Sequence, residues 1–210
     1  MQFGVDEAGK GPVLGSMFAA AVRAPVEALP AGIDDSKRLS DARRESLAKQ
    51  LRDDEQVSVS IAEITPERID AGNMNELTVV AHADALAGVV ELGDVGMCDA
   101  GDVDADRFAR RVQRRLPVDA TVCAEHRADA TNALVGAASV VAKSAREAHV
   151  KNLEDKFGDI GSGYPSDPNT RTFLADYVAT NGDLPACARR SWSTCADVLA
   201  AAEQSSLEEF

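Results

Sequence analysis

The 210-residue sequence has only three histidines, and none falls at zinc-ligand spacing, so no zinc site is expected. Its four cysteines, Cys98, Cys123, Cys187 and Cys195, form no Cys-x-x-Cys pair. Cys98 and Cys123 lie inside apolar runs and are expected to be buried free thiols. No run of about 18 apolar residues occurs, so no membrane-spanning helix is expected. The opening residues Met1-Gln2-Phe3-Gly4-Val5-Asp6 lack a basic stretch followed by an apolar one. No secretory signal is read there, and the expected compartment is the cytoplasm. Lysine is scarce beside arginine, and 22 bases face 35 acids for a net charge of −13. Taken alone, that balance argues against a polyanionic partner, because phosphate binding rests on Lys and Arg. The acids are scattered, however, as in Asp53-Asp54-Glu55 and Glu208-Glu209. Diffuse acidity with few lysines points to a high-salt, halophilic cytosol in which self-repulsion is screened.

Apolar residues make up 45% of the chain, enough for one continuous core. Gln2 to Asp6 and Val13 to Val22 read as two strands of a hairpin, with Gly9, Gly11 and Pro12 at the bend. Ser40 caps an amphipathic helix carrying Leu47 and Leu51. Val57, Val59 and Ile61 alternate with Ser58 and Ser60, as in a half-buried strand. Thr65-Pro66-Glu67 starts a helix, and Asn75 reads as the N-cap of a longer one reaching about Glu91. Asp94 to Cys98 and Ala120 to Ala124 read as short strands. Asp104 to Leu116, Thr131 to Phe157, Arg171 to Thr180 and Ser193 to Glu203 read as helices. The class is α/β with a mixed sheet.

Carboxylates fall where the strands end. Asp6 closes the first apolar run, Asp99 a later one, and Asp129 follows the Val122-Cys123-Ala124 strand. Strand ends at one sheet edge bring remote residues together, so Asp6, Glu7, Asp99 and Asp129 could form one acidic cluster. Such a cluster repels itself unless a cation sits in it, and oxygen ligands suit Mg²⁺ or Mn²⁺. By spacing alone, four acids among 35 read sooner as loop caps or solvated charges. Gly9-Lys10-Gly11 beside the acidic pair reads as a close backbone approach to a ligand or as a tight turn.

Several ordered segments resemble the type 2 ribonucleases H (ribonuclease HII) in their archaeal form. They are Phe3-Gly4-Val5-Asp6-Glu7-Ala8-Gly9-Lys10-Gly11-Pro12, Asp34-Asp35-Ser36-Lys37-Arg38-Leu39-Ser40, Asp99-Ala100 with Asp102-Val103, Ala124-Glu125-His126-Arg127-Ala128-Asp129, Ala137-Ala138-Ser139-Val140-Val141-Ala142-Lys143, and Gly161-Ser162-Gly163-Tyr164-Pro165-Ser166-Asp167-Pro168. Arg190-Ser191-Trp192 is a weaker match. The resemblance implies a ribonuclease H-like fold: a mixed five-stranded sheet flanked by helices, with a helical C-terminal extension. Residues 1–157 are then the catalytic core, 158–203 the extension with its substrate-sensing loop, and 204–210 a tail. The resemblance also implies an endonuclease that hydrolyses the RNA strand of RNA–DNA hybrids. It implies cutting 5′ of ribonucleotides embedded in duplex DNA, with 5′-phosphate and 3′-hydroxyl ends, as in DNA replication and ribonucleotide excision repair. Asp6, Glu7, Asp99 and Asp129 match the family's metal-binding catalytic acids, which take two Mg²⁺ or Mn²⁺ ions with substrate. Gly9, Lys10 and Gly11 match the segment that reads the ribose 2′-hydroxyl, and Tyr164 the tyrosine that stacks on the sugar at the RNA-to-DNA junction. Lys10 stands where many relatives have Arg, and Arg146-Glu147 where they often have Arg-Asp.

Further residues carry two readings each. Ser36 and Lys37 are substrate-backbone contacts or a solvated loop, and Asn75 is a phosphate contact or only a cap. Ser139 and Lys143 share a helical face, and Lys143 meets a phosphate or pairs with a carboxylate. Arg110, Arg111, Arg114 and Arg115 read first as a solvated helix face. His126 is a candidate for proton transfer or product release, and His149 is given no role. The ending Gln204-Ser205-Ser206-Leu207-Glu208-Glu209-Phe210 resembles the peptide that docks repair enzymes to a sliding clamp. Gln204, Leu207 and Phe210 are its expected anchors on one turn; the alternative is a frayed acidic tail. The expected state is a monomer acting on nucleic acid, with no membrane role. Two other readings stand: a different nuclease of ribonuclease H-like fold, which needs neither Gly9-Lys10-Gly11 nor Tyr164, and a non-catalytic cation- or clamp-binding module.

Overall fold

A computed structural model describes residues 1–33 and 39–208, with side chains as far as Gln204. Ser36 and Lys37 lie outside the described residues. Five strands, β1 (Gln2–Ala8), β2 (Met17–Ala24), β3 (Ser58–Ile64), β4 (Val95–Asp99) and β5 (Thr121–Glu125), form one sheet in the order β3-β2-β1-β4-β5. β1, β2 and β3 pair antiparallel, whereas β1–β4 and β4–β5 pair parallel. The hairpin arises because Gln2 to Ala8 and Met17 to Ala24 are both rich in apolar and small residues, and a glycine-punctuated segment links them.

Seven α-helices complete the described fold: α1 (Asp41–Asp53), α2 (Pro66–Asp70), α3 (Met74–Ala87), α4 (Ala105–Gln113), α5 (Ala133–Phe157), α6 (Pro168–Asn181) and α7 (Ser193–Glu208). Side chains of Ser40, Thr65, Asp104, Asn132 and Asp167 cap α1, α2, α4, α5 and α6 through local backbone amides. Among the described residues no helix is long and apolar enough to cross a membrane.

Strand alternation gives the sheet two apolar faces. Phe3, Val5, Met17, Ala19 and Ala21 pack with Leu77, Leu86 and Phe108 of α3 and α4. Ala20, Val22 and Ala24 pack with Leu47, Leu51, Leu134 and Val141 of α1 and α5. The central helix α5 lies so close to β1 that a Cβ on Gly4 would fall 2.2 Å from the Leu134 carbonyl carbon. A third cluster joins Val13 and Leu14, just after the glycine segment, to Ile160, Leu174, Leu184 and Cys195. Through it α6 and α7 reach the hairpin bend.

Some expectations need correction. The cap of α3 is Asn73, whose side chain accepts from the amides of Asn75 and Glu76. Asn75 is therefore inside the first turn, and the helix ends at Ala87, short of Glu91, with Gly88 still in helical backbone geometry and its amide donating to the Ala85 carbonyl as a closing turn. Ile61 continues the alternation of Val57 and Val59 but lies outside both apolar clusters and is exposed. Cys98 is in the core, as expected, but Cys123 is exposed on the outermost strand, where only one face is covered.

Candidate active site

Because β1, β4 and β5 run parallel, their C-terminal ends share one edge of the sheet. That edge brings Asp6 and Glu7 near the end of β1 beside Asp99 at the end of β4. Asp129 joins them from a short 3₁₀ turn, Ala128–Ala130, beyond β5. The turn is pinned by Asp99, whose Oδ1 accepts the Ala128 amide at 2.7 Å. It is entered through Arg127, which adopts a left-handed φ of 61°. A non-glycine residue tolerates this only where its surroundings enforce it.

The four acids differ in environment. Asp6 is buried, and burial followed by the charge of Glu7 raises its carboxyl to about 7. The buried Ser139 hydroxyl on α5 opposes that rise, although it stands outside full hydrogen-bond geometry. Asp99 is raised by burial and by Glu7 and Asp129, against the pull of the Ala128 amide. Glu7 shifts the other way: burial acts upward, but the hydrogen bond and charge of His82, with Lys10, hold it below the ordinary range. His82 is fully buried on α3, with Nε2 2.7 Å from Glu7 Oε2. Its Nδ1 has no partner. Nε2 is thus the ring nitrogen that engages the carboxylate. The Phe108 ring packs edge-on at 5.0 Å.

Mutually repelling hard oxygen donors suit a divalent cation in kind. As the side chains stand, no three His, Cys, Asp or Glu among the described residues form a finished cation cage. The carboxylates face protein donors instead: Glu7 meets His82, Asp99 meets Ala128, and Asp6 Oδ1 accepts the Glu7 amide at 2.7 Å.

The glycine segment borders this edge. Gly9 has φ of 86°, a conformation that favours glycine. Lys10 Nζ donates to the Gly101 carbonyl at 2.6 Å, tying the segment to the loop after Asp99. The amine is thus partly engaged, with two N–H groups left. Tyr164 is 46% exposed and does not pack into the core. Its ring lies over Gly11, where an added Cβ would be 3.5 Å from Cε1. The sheet edge, the glycine segment and Tyr164 are therefore brought together from remote parts of the chain.

Other expected residues divide. Ser139 is buried beside Asp6, and Lys143 is half-buried one turn later on α5. Asn75 is exposed on the first turn of α3, and His126 is exposed after β5. Gln204 is exposed near the end of α7, a helix that runs on to Glu208; the Leu207 side chain and Phe210 lie outside what is described. Arg110 and Arg114 are exposed, as a solvated face predicts, but Arg111 on α4 and Arg115 just beyond its end both pair with Glu76. Arg107, a residue given no role in the sequence, grips Asp102 with Nη2 at 2.9 and 2.7 Å from its two oxygens. Glu147 pairs with Arg44. Sequence reasoning missed His82, Arg146 and Arg189. His82 sits in an otherwise apolar helix face and carries no local signal of its partner 75 residues away.

A family model described as Ribonuclease HII matches residues 3–195. The chain is 62% identical to the Ribonuclease HII of Haloarcula marismortui, with all of both chains covered. Among solved structures it is similar to the ribonuclease H2 from Pyrococcus horikoshii OT3, at 37% identity and TM-score 0.90, covering 97% of this chain and 99% of that one. It is also similar to the ribonuclease in the PCNA:RNase HII complex from Archaeoglobus fulgidus, at 36% identity and TM-score 0.82, covering 94% of this chain and 96% of that one.

Proposed function

Since the chain belongs to the ribonuclease HII family, we propose that it is an endonuclease that hydrolyses the RNA strand of RNA–DNA hybrids and cuts 5′ of ribonucleotides embedded in duplex DNA. The observation that carries this reading is the meeting of four carboxylates, Gly9-Lys10-Gly11 and Tyr164 at one sheet edge. Asp6, Glu7, Asp99 and Asp129 would hold Mg²⁺ or Mn²⁺, and a pair of such ions would supply activation of a water and charge stabilisation for the departing 3′-oxygen.

The remaining work falls to the chain itself. Backbone amides of the glycine segment meet the 2′-hydroxyl, the one group that separates RNA from DNA at a given nucleotide. Tyr164, exposed and seated on Gly11, offers an aromatic face to the sugar at the junction. Ser139 steadies Asp6 from below. Lys143 and the free N–H groups of Lys10 face the phosphates as point charges, as lysines do. In this reading residues 1–157 act as the catalytic core and 158–203 as an extension that supplies Tyr164. The scattered acids and scarce lysines support work in a high-salt cytoplasm.

The test is cleavage of three duplexes with Mg²⁺ or Mn²⁺: an RNA–DNA hybrid, a DNA duplex with one ribonucleotide, and all-DNA. Cutting of the first two, with a 5′-phosphate product, is expected. Failure to cut either would remove the assignment. The clamp complex of the Archaeoglobus fulgidus relative supports a sliding-clamp partner for this chain as well. Gln204, Leu207 and Phe210 are its proposed contacts. Deleting residues 204–210 should abolish clamp binding in calorimetry; unchanged affinity would dismiss the tail.

A further inference from the structure

Arg189, from the segment between α6 and α7, is completely buried and pairs with no carboxylate among the described residues. Its guanidinium is spent on backbone carbonyls of the hairpin bend. Nε donates to Gly15 at 2.9 Å, Nη1 to Lys10 at 2.9 Å and Nη2 to Gly9 at 2.5 Å. The Arg189 amide also donates to the Val13 carbonyl at 2.8 Å. The Trp192 ring lies 5.1 Å from the guanidinium, and its Nε1 donates to the Gly11 carbonyl at 3.3 Å. Arg146 of α5 continues the brace to Leu14 and Ser16. Burial, then the charge of Arg146, lowers Arg189 to about 10, so it remains charged at neutral pH.

This arrangement orients the opposite side of the bend. In a planar trans peptide the N–H points away from the preceding carbonyl. The carbonyls of Gly9 and Lys10 point inward to Arg189, so the amides of Lys10 and Gly11 point outward. Neither amide donates to any described protein group. Gly11 is exposed, and Tyr164 stands over it. A planar fork suits three diverging carbonyls in a way that an ammonium cannot match.

We propose that Arg189 is a positioning residue for ribonucleotide selection: it turns the Gly9–Gly11 peptides so that the Lys10 and Gly11 amides face the sugar. The C-terminal segment then sets sugar discrimination from behind the loop. Arg189 touches no substrate and leaves the acidic cluster alone. This inference rests on the ribonuclease reading above.

The experiment uses the full chain as wild type, Arg189→Met, which fills the volume without the charge, and Arg189→Lys, which keeps the charge without the fork. For each, KM and kcat are measured on a DNA duplex with one ribonucleotide, and the inhibition constant is measured for the same duplex in all-DNA form. The ratio of inhibition constant to KM reports sugar discrimination per folded molecule, and circular dichroism reports folding. In Arg189→Met the ratio should fall about tenfold, as expected for misplacing a hydrogen-bond donor, with the all-DNA inhibition constant unchanged. Arg189→Lys should lie between wild type and Arg189→Met, and it carries the test if Arg189→Met does not fold. An unchanged ratio in the folded variants, or equal loss on both duplexes, overturns the role of Arg189 alone. A wild type that does not distinguish the two duplexes overturns the ribonuclease reading, and the role of Arg189 with it.

Discussion

Replacing Asp6 by Asn should stabilise the ion-free protein while abolishing cleavage. In the folded chain the Asp6 carboxyl rises from an ordinary 3.8 to about 7, through burial and then the charge of Glu7. An acid with a raised folded value favours folding only when protonated, so its ionisation opposes folding. The cost is absent below 3.8, grows as pH rises toward 7, and is then constant. At about 1.4 kcal/mol per tenfold change, the full span corresponds to about 4 kcal/mol. Asn keeps the oxygen that accepts the Glu7 amide, but it brings an amide into a buried place at a cost of about 1–3 kcal/mol. The net gain expected at pH 8 is therefore about 2 kcal/mol. Urea unfolding in EDTA at fixed KCl measures it. The advantage of Asp6→Asn should shrink by about 2–3 kcal/mol between pH 8 and pH 5, because the wild type sheds its penalty on acidification. Added Mn²⁺ should stabilise the wild type more than the variant. A variant no more stable than wild type at pH 8, or an advantage that does not change with pH, would refute the reasoning.

Three other perturbations test separate contacts. His82→Leu removes the donor that holds Glu7 and should weaken Mn²⁺ binding and cleavage by about 10–100-fold, whereas His82→Gln, which keeps a donor, should lose less; calorimetry of Mn²⁺ binding separates them. Gly4→Ala places a methyl group 2.2 Å from the Leu134 backbone. It should cost more than about 3 kcal/mol in urea unfolding, because β1 and α5 cannot separate without opening both faces of the core. Arg23→Met takes from the buried Asp94 carboxylate the guanidinium it meets at 2.6 Å, leaving it the Met1 ammonium and the Glu91 amide, and should cost about 1.5–3 kcal/mol near neutral pH. Burial acts upward on Asp94, but the Arg23 hydrogen bond and others hold its carboxyl down to about 2. Its contribution is present above 3.8 and is lost as pH falls through about 2, so the wild-type advantage over Arg23→Met should fade on acid titration.

Much of the frame was legible because its signals are local. Ser40, Thr65 and Asp104 stand three residues before the amides they cap, within reach of sequence spacing. The hairpin and the two short strands show in runs of apolar residues, and parallel strands place Asp6 and Asp99 at a shared edge. The four-acid site and Tyr164 needed the family resemblance as well, since spacing alone left them among 35 acids and an ordinary loop tyrosine. What failed locally failed by small geometric margins: two asparagines two residues apart compete to cap α3, and only the backbone shows that Asn73 wins.

The sequence by itself determined which stretches form strands and helices, that Asp6 and Asp99 lie near strand ends, and where glycine permits the bend at Gly9. These depend on interactions within a few residues and on hydrophobic period. Only the tertiary structure decided that His82 holds Glu7, that Ser139 lies under Asp6, that Cys123 faces out, and that Arg189 orients a loop 180 residues before it. A buried charge or hydrogen bond is worth having only where a distant partner lies at the right distance and angle. That partner is supplied by chain topology, which no local pattern in a single sequence records.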